Sequence, residues 1–265
     1  MIDYNKALSE KVKKMKPSGI RKFFDIAATK KDVISLGVGE PDFSTPWSIR
    51  KTAVNTLERK KIIYGANKGI EPLRDAICTY INKKYGVQYN SDDEIIVTVG
   101  GSEAIDLAIR ALVDVGDEVL VVEPSFVCYA PLVELAGGVA VSVPTKIENN
   151  FKLTPEDLEG KITEKTKLLI LPFPNNPTGA VMTKEDLEKI ADVLRDTNVI
   201  VLSDEIYSEL TYGRKHYSII QIDGMRERTI YVNGFSKAYA MTGWRLGYLT
   251  APKEIVSQLV KIHQY

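Results

Sequence analysis

Cysteine and histidine each occur only twice in the 265 residues. Cys78 and Cys128 cannot form a disulfide framework, and with no sign of export they read as reduced thiols. His216 and His263 have no ligand-like spacing, so no metal site is expected. Neither sign of charge is in excess: 35 Lys plus Arg balance 35 Asp plus Glu, with a pI near 6.8. That balance gives no support for a nucleic-acid or anionic-membrane partner. The start, "MIDYNKALSEKVKKMKPSG", lacks the apolar core of a signal peptide. No apolar run is long enough to span a bilayer, and the expected compartment is the cytoplasm. Internal repeats and low-complexity linkers are also missing. What remains is ordinary for a globular protein, 44% hydrophobic and 26% charged, and its length exceeds one typical domain and comes within reach of two.

Short β-rich runs alternate with longer helical patterns. Strands are predicted at 94–99 (EIIVTV), 117–123 (DEVLVVE), 139–143 (VAVSV), 167–171 (KLLIL), 198–205 (NVIVLSDE) and 228–234 (RTIYVNG). Helices are predicted over 102–113, 126–136 and 183–196, the last with Thr183 as N-cap and a Glu185–Lys189 pair four residues apart. The strands are nearly continuous in Val, Ile and Leu, as when both faces are covered. Strand alternating with helix implies right-handed crossovers and a mostly parallel central sheet with helices on both faces, an α/β fold. The first ninety residues, with prolines at 17, 41, 46 and 72, read as an arm and a helical lead-in.

In such sheets ligands sit beyond the carboxyl ends of the strands. After the 94–99 strand comes Gly100-Gly101-Ser102-Glu103, opening a helix. Glycines permit close backbone approach, and the first N–H groups of a helix lack internal partners, so the turn suits a phosphate. On its own it is more often just a tight turn. After 117–123 comes Phe126, which could stack on a planar ligand but by itself reads as core. After 167–171 comes "PFPNNPTGA", a stiff turn that aims polar side chains, Asn176 among them. Asp204, Glu205 and Tyr207 follow the 198–203 run. A carboxylate at Asp204 needs a cation or several donors, and a structural salt bridge is an equal reading of its position. In "VNGFSKAYAMTGWRLGYL" (232–249), Lys237 and Arg245 stand among glycines, aromatics and aliphatics. Alone they read as charges snorkelling to solvent. Each signal is weak, but all fall on one edge. One ligand uses all of them: pyridoxal phosphate needs a lysine for its aldehyde, an acid for its ring nitrogen and donors for its phosphate.

The chain resembles the fold-type-I pyridoxal-phosphate aminotransferases, specifically the class I aspartate/aromatic family. The landmarks are "SLGVGEPDFSTP" (35–46), "YGANKGIEPLRDAI" (64–77), "TVGGSEAIDLAI" (98–109), "PNNPTGAV" (174–181), "SDEIY" (203–207) and "NGFSKAYAMTGWRLGY" (233–248). The resemblance covers essentially the whole chain. The stretch 19–43 looks most like the archaeal and bacterial branch with aromatic and N-acetyl-diaminopimelate aminotransferases. The resemblance implies that Lys237 forms the Schiff base and moves the proton at the substrate Cα. It implies that Asp204 holds the ring nitrogen protonated, that Tyr207 and Asn176 hydrogen-bond the 3-oxygen, and that Phe126 stacks on the ring where many relatives carry tryptophan or tyrosine. Gly101, Ser102, Glu103, Ser236 and Arg245 would hold the phosphate. Many relatives have a serine three residues before the lysine; here Gly234 has no hydroxyl to offer. Gly39 would lie over the substrate carboxylate, and Tyr64 would reach the phosphate of a partner subunit in a homodimer. Burial and the nearby Arg245 charge are both expected to lower the Lys237 pKa.

The domain reading is an N-terminal arm with part of a small domain at 1–45, and a cofactor-binding large domain at 46–265. The chain stops at Tyr265, in an amphipathic helix with no glycine or cap. We therefore expect a fragment, with the rest of the small domain and the substrate-carboxylate arginine beyond residue 265. The expected activity is amino transfer between an L-amino acid, aromatic, aspartate or related, and a 2-oxo acid such as 2-oxoglutarate. Another enzyme of the same scaffold, a C–S β-lyase or a cyclopropane-forming synthase, is the alternative. A cofactor-binding transcriptional sensor is a third, but residues 1–35 carry no helix-turn-helix.

Overall fold

The computed structural model describes residues 2–17, 19, 26, 29, 30, 32, 34 and 39–265. Ser35–Val38 of the 35–46 motif, and much of 19–43, lie outside the described residues. A seven-stranded sheet organises the chain, in the order β1-β7-β6-β5-β4-β2-β3. The strands are β1 (Ile95–Thr98), β2 (Glu118–Glu123), β3 (Val139–Pro144), β4 (Thr166–Leu171), β5 (Ile200–Asp204), β6 (Thr229–Gly234) and β7 (Gly247–Thr250). The longer helices are α1 (Trp47–Arg59), α2 (Glu71–Tyr85), α3 (Gly101–Leu112), α4 (Tyr129–Ala136), α5 (Lys184–Leu194) and α6 (Lys253–His263).

Why the strands read as continuous apolar runs is visible in the packing. Along β2, Leu120 and Val122 enter the core on the α2 and α5 side, while Val119 and Val121 enter the core on the α3, α4 and α6 side. In β4, Leu169 and Leu171 pack with the first group and Leu168 and Ile170 with the second. A strand buried on both faces has no polar alternate positions. The sheet is mostly parallel, as the alternation implied.

Three expectations need amendment. The 126–136 helix begins only at Tyr129, so Phe126 sits in the turn ahead of it. In α5 the Thr183 cap forms as predicted, its side chain accepting from the Asp186 N–H within a capping box. The Glu185–Lys189 pair does not appear among the ion pairs; Lys184 and Glu188 make that contact instead, at 3.1 Å. One strand was not predicted. β7 follows β6 without an intervening crossover helix, so it returns antiparallel, pairing with β6 on one side and β1 on the other.

The reversal of β7 positions the site. Its first residue, Gly247, lies at the same edge as the carboxyl ends of the other strands, against the turn that opens α3. A Cβ at Gly247 would stand 2.5 Å from the carbonyl carbon of Gly100 and 2.7 Å from the nitrogen of Gly101. Both are backbone atoms and cannot swing away. Gly247→Ala is expected to lose about 1–3 kcal/mol of stability, the usual cost of overpacking. Urea unfolding with unchanged slope would show it as a lower midpoint; an unaltered midpoint would mean that the backbones separate freely here.

Candidate active site

A cavity of about 370 Å³ opens where the strands end. Its floor and walls come from segments far apart in sequence, and each arrives there for a local reason.

One end is a cradle for an anion. Gly100 caps α3 with φ of 78°, a left-handed conformation that suits glycine, and no side chain caps the helix. The first-turn N–H groups of Gly101 and Ser102 are thus available, at the positive end of the helix dipole. Arg245 completes this end. Its backbone is also left-handed, at φ 53°, and its guanidinium donates to the Thr242 carbonyl at 3.0 Å. The guanidinium lies so close to Gly100 that a Cβ there would meet Nη2 at 2.5 Å. Ser236 also lines the cavity. Glu103 does not: its carboxylate turns back to accept from the Val99 N–H and meets His263.

At the end of β5, the carboxylate of Asp204 is buried and lines the cavity. It accepts from the Tyr129 hydroxyl at 2.8 Å and from the Ile206 N–H at 3.2 Å. Among the described residues it has no ion pair. Burial raises its pKa, with these two donors acting against the rise and neighbouring Glu205 adding to it. Burying a carboxylate costs free energy unless a cation accompanies it. Glu205 points to the opposite face and is satisfied there by Ser203 at 2.9 Å, Ser218, and His216 at 2.6 Å. The structural salt bridge open to Asp204 on position alone is therefore absent among the described residues.

Lys237 enters from the loop after β6. Its ammonium donates to the Gly39 carbonyl and lies 5.5 Å from the Tyr207 ring centroid. Burial lowers its pKa, and the Glu40 carboxylate opposes the shift. The Arg245 charge, expected to be a second cause, is not one. Tyr207 stays a neutral phenol, because burial and Asp204 both raise its pKa. It can therefore donate a hydrogen bond. Cys128, beside Asp204, is no nucleophile: burial pushes its thiol up to about 12.

Phe126 is 38% exposed and meets Tyr129 edge to face, at 5.9 Å between centroids. In the 172–180 loop the two asparagines divide the work. Asn175 is buried and holds the turn, its side chain accepting from Thr178 N–H and hydroxyl at 3.1 and 2.9 Å. Asn176 is left to face the cavity. Gly39 also lines the cavity, whereas Tyr64 lies away from it with its side chain fully exposed.

Tyr129, Glu40, Ile206 and Thr242 line the cavity as well, and the sequence did not single them out. Tyr129 is the informative omission. In "YAPLVELA" a tyrosine reads as part of an apolar helix face, and only packing against β5 brings its hydroxyl to Asp204.

The residues present fit a phosphorylated, protonatable aromatic aldehyde. The cradle offers N–H donors and a guanidinium, the buried carboxylate lacks a cation, and the amine is readily made neutral. Pyridoxal phosphate, with its phosphate, ring nitrogen and aldehyde, matches that set of groups. Comparison with known proteins agrees. The family described as aminotransferase class I and II matches residues 31–265. The aspartate aminotransferase of Pyrococcus abyssi is 49% identical over 260 residues, spanning 98% of this chain and 67% of its own length. An aromatic-amino-acid aminotransferase of Thermococcus litoralis is 46% identical, with coverage of 98% and 67%. The structure of Thermus thermophilus aspartate aminotransferase with maleate superimposes with a TM-score of 0.92 at 39% identity, over 97% of this chain and 68% of that one. The chain belongs to the class I and II aminotransferase family, whose class I members depend on pyridoxal phosphate. It spans about two thirds of the length of these relatives.

The raised pKa of Asp204 has a testable sign. An acid with a raised folded-state pKa costs no stability where both states are protonated. The cost appears as pH rises through the unfolded pKa and is complete above the folded one. Without cofactor, Asp204→Asn is expected to be more stable than the parent at pH 7 by about 1 kcal/mol or more. The gap should close toward acid. Melting curves against pH measure this, and a variant less stable than the parent at neutral pH would contradict it.

Proposed function

We propose that the protein containing this chain is a pyridoxal-phosphate aminotransferase acting between an L-amino acid of the aspartate or aromatic class and a 2-oxo acid such as 2-oxoglutarate. The observation that carries this reading is one cavity lined both by a buried carboxylate without a cation, Asp204, and by an amine that burial drives toward neutrality, Lys237. The relatives named above support the substrate class, and their names favour amino transfer over the lyase or sensor readings.

Bound in this cavity, pyridoxal phosphate supplies an electron-withdrawing ring that stabilises negative charge at the substrate Cα. The chain's residues do the rest. Lys237 attaches the cofactor and, once neutral, takes and returns the Cα proton, help worth roughly 10²–10⁴ in rate. Asp204 sets a fixed negative charge opposite the ring nitrogen and keeps it protonated. Tyr207 and Asn176 donate to the ring oxygen, and Phe126 covers a ring face. The N–H groups of Gly101 and Ser102, the Ser236 hydroxyl and the Arg245 fork would hold the phosphate. Gly39 and Asn176 border the space for the substrate carboxylate.

The working form is proposed to be a cytoplasmic homodimer in which residues 46–265 supply the large domain. Tyr64 then reaches the partner's phosphate. Its full exposure, with Ile62, Ile63, Trp47 and Leu57 exposed nearby in sequence, supports a covered position in an assembly.

Two outcomes are expected of the full-length protein. Borohydride reduction followed by peptide mapping should place the pyridoxyl group on Lys237; label on another lysine overturns the assignment. Aspartate or an aromatic amino acid with 2-oxoglutarate should yield glutamate, and Lys237→Arg should abolish this. Release of ammonia or pyruvate in place of glutamate would favour a lyase. Separately, Tyr64→Phe should loosen the cofactor by about tenfold, as loss of one charge-assisted hydrogen bond predicts. Unchanged affinity would remove Tyr64 from the site.

A further inference from the structure

Tyr129 is the first residue of α4, and its side chain is buried in the core that also holds Leu168, Ile170 and Leu202. A buried phenol needs a hydrogen-bond partner, and a backbone carbonyl would serve. Here the hydroxyl donates instead to Oδ2 of Asp204, at 2.8 Å, and Tyr129 itself lines the cavity. The other carboxylate oxygen, Oδ1, accepts from the Ile206 N–H at 3.2 Å. One oxygen is thus held by backbone and the other by a side chain locked in the core. The terminal torsion of an aspartate is broad when nothing holds it. With a donor on each oxygen, the carboxylate cannot turn about its Cβ–Cγ bond without breaking one of the two bonds.

The bond also acts on charge. A carboxylate that accepts a hydrogen bond is a weaker base than one that accepts none. Opposite a protonated ring nitrogen this decides where the shared proton rests: a stronger base takes it, and a weaker one leaves it on the ring. Burial works the other way by raising the Asp204 pKa, and the Tyr129 hydroxyl is foremost among the groups that oppose the rise. The phenol is kept as a donor, because burial and the neighbouring Asp204 charge both raise its own pKa. Nothing beside it duplicates the role. Among the described residues, Tyr129 is the side chain that donates to Asp204; Cys128 and Tyr207 stand near the carboxylate without a hydrogen bond to it. The Tyr129 ring has a second contact, edge to face with Phe126 at 5.9 Å.

We infer that Tyr129 is a positioning residue, which fixes the Asp204 carboxylate at the cavity and, by donating to it, leaves the shared proton on the ring nitrogen of the cofactor. The inference rests on the pyridoxal-phosphate assignment and adds a residue to it. Loss of the hydroxyl frees the carboxylate to turn and makes it a stronger base. Both effects draw the proton off the ring.

The test uses the full-length protein loaded with pyridoxal phosphate that carries ¹⁵N at the ring nitrogen. In the parent the nitrogen should resonate as a pyridinium. Tyr129→Phe removes the hydroxyl and keeps the ring with its Phe126 contact. Its resonance should move toward neutral pyridine, and kcat should fall about tenfold, the size of one hydrogen bond to a charged group. An unmoved resonance overturns the inference. Val133→Ala loosens the core face of the same helix, where Val133 is fully buried, but keeps the hydroxyl. It should leave the resonance in place; a displacement equal to that of Tyr129→Phe would assign the effect to packing and overturn the inference. Should Tyr129→Phe not fold, 3-fluorotyrosine at position 129 decides, since its more acidic hydroxyl is the stronger donor. The resonance should then stay at the parent's pyridinium position or move beyond it, and movement toward pyridine overturns the inference. A parent that binds the cofactor with a neutral ring nitrogen overturns it as well. If the parent binds no pyridoxal phosphate, the cofactor assignment falls and this inference with it.

Discussion

The contact on which the site depends is the approach of β7 to the turn between β1 and α3. Gly247 meets Gly100 and Gly101 backbone to backbone, and no side chain larger than hydrogen fits between them. Gly234, at the end of β6, belongs to the same layer. A Cβ there would stand 3.0 Å from the Gly247 Cα and 3.1 Å from Ile206 and the Leu246 carbonyl. That crowding is a physical reason for glycine at this position. The layer brings Arg245, two residues before Gly247, over the first turn of α3, so that one guanidinium and the helix N–H groups face the same anion.

A second constraint is electrostatic. Burial moves both Asp204 and Lys237 toward neutrality, one upward and the other downward. Among the described residues neither group has an opposite charge as close partner: Asp204 has a phenol and an N–H, Lys237 a carbonyl. Left alone, such a pair lowers stability. It becomes favourable when a ligand brings a cation to the carboxylate and a carbonyl to the amine. Glu205, one residue after Asp204, shows the opposite outcome. Strand alternation sends it to the other face, where His216, Ser203 and Ser218 satisfy it.

The N-terminal segment is tied to the same loop that carries Lys237. Thr45 donates to the Ala240 carbonyl at 2.6 Å and accepts from the Trp244 indole at 3.1 Å. Ala240 and Arg245 both have positive φ, at 50° and 53°. Such conformations cost free energy in non-glycine residues and persist where surroundings impose them. The loop between β6 and β7 is held by these ties, with Lys237 and Arg245 at opposite ends of it.

Much of this was legible in the sequence, for reasons that are local. The apolar runs marked strands buried on both faces, Thr183 marked a helix start, and the rule of strand carboxyl ends brought Asp204, Asn176, Lys237 and the Gly100–Gly101 turn to one edge. These depend on periodicity and chain direction, which a sequence carries. The ordered motifs, from "YGANKG" to "MTGWRLGY", also carried the family. The direction of β7 was not legible, because a four-residue strand fixes no orientation and the short loop before it only becomes decisive once β1 and β6 flank a gap. Tyr129 and His263 were passed over for a related reason. A tyrosine on an apolar helix and a histidine near a chain end reveal nothing until packing sets Tyr129 against Asp204 and His263 between Glu103 and Asn67. The sequence by itself determined which chemistry the strand ends could offer. Only the tertiary structure decided which side chains hold those groups in place, because such contacts join residues 75 and 160 positions apart and long-range pairing leaves no periodic trace in the chain.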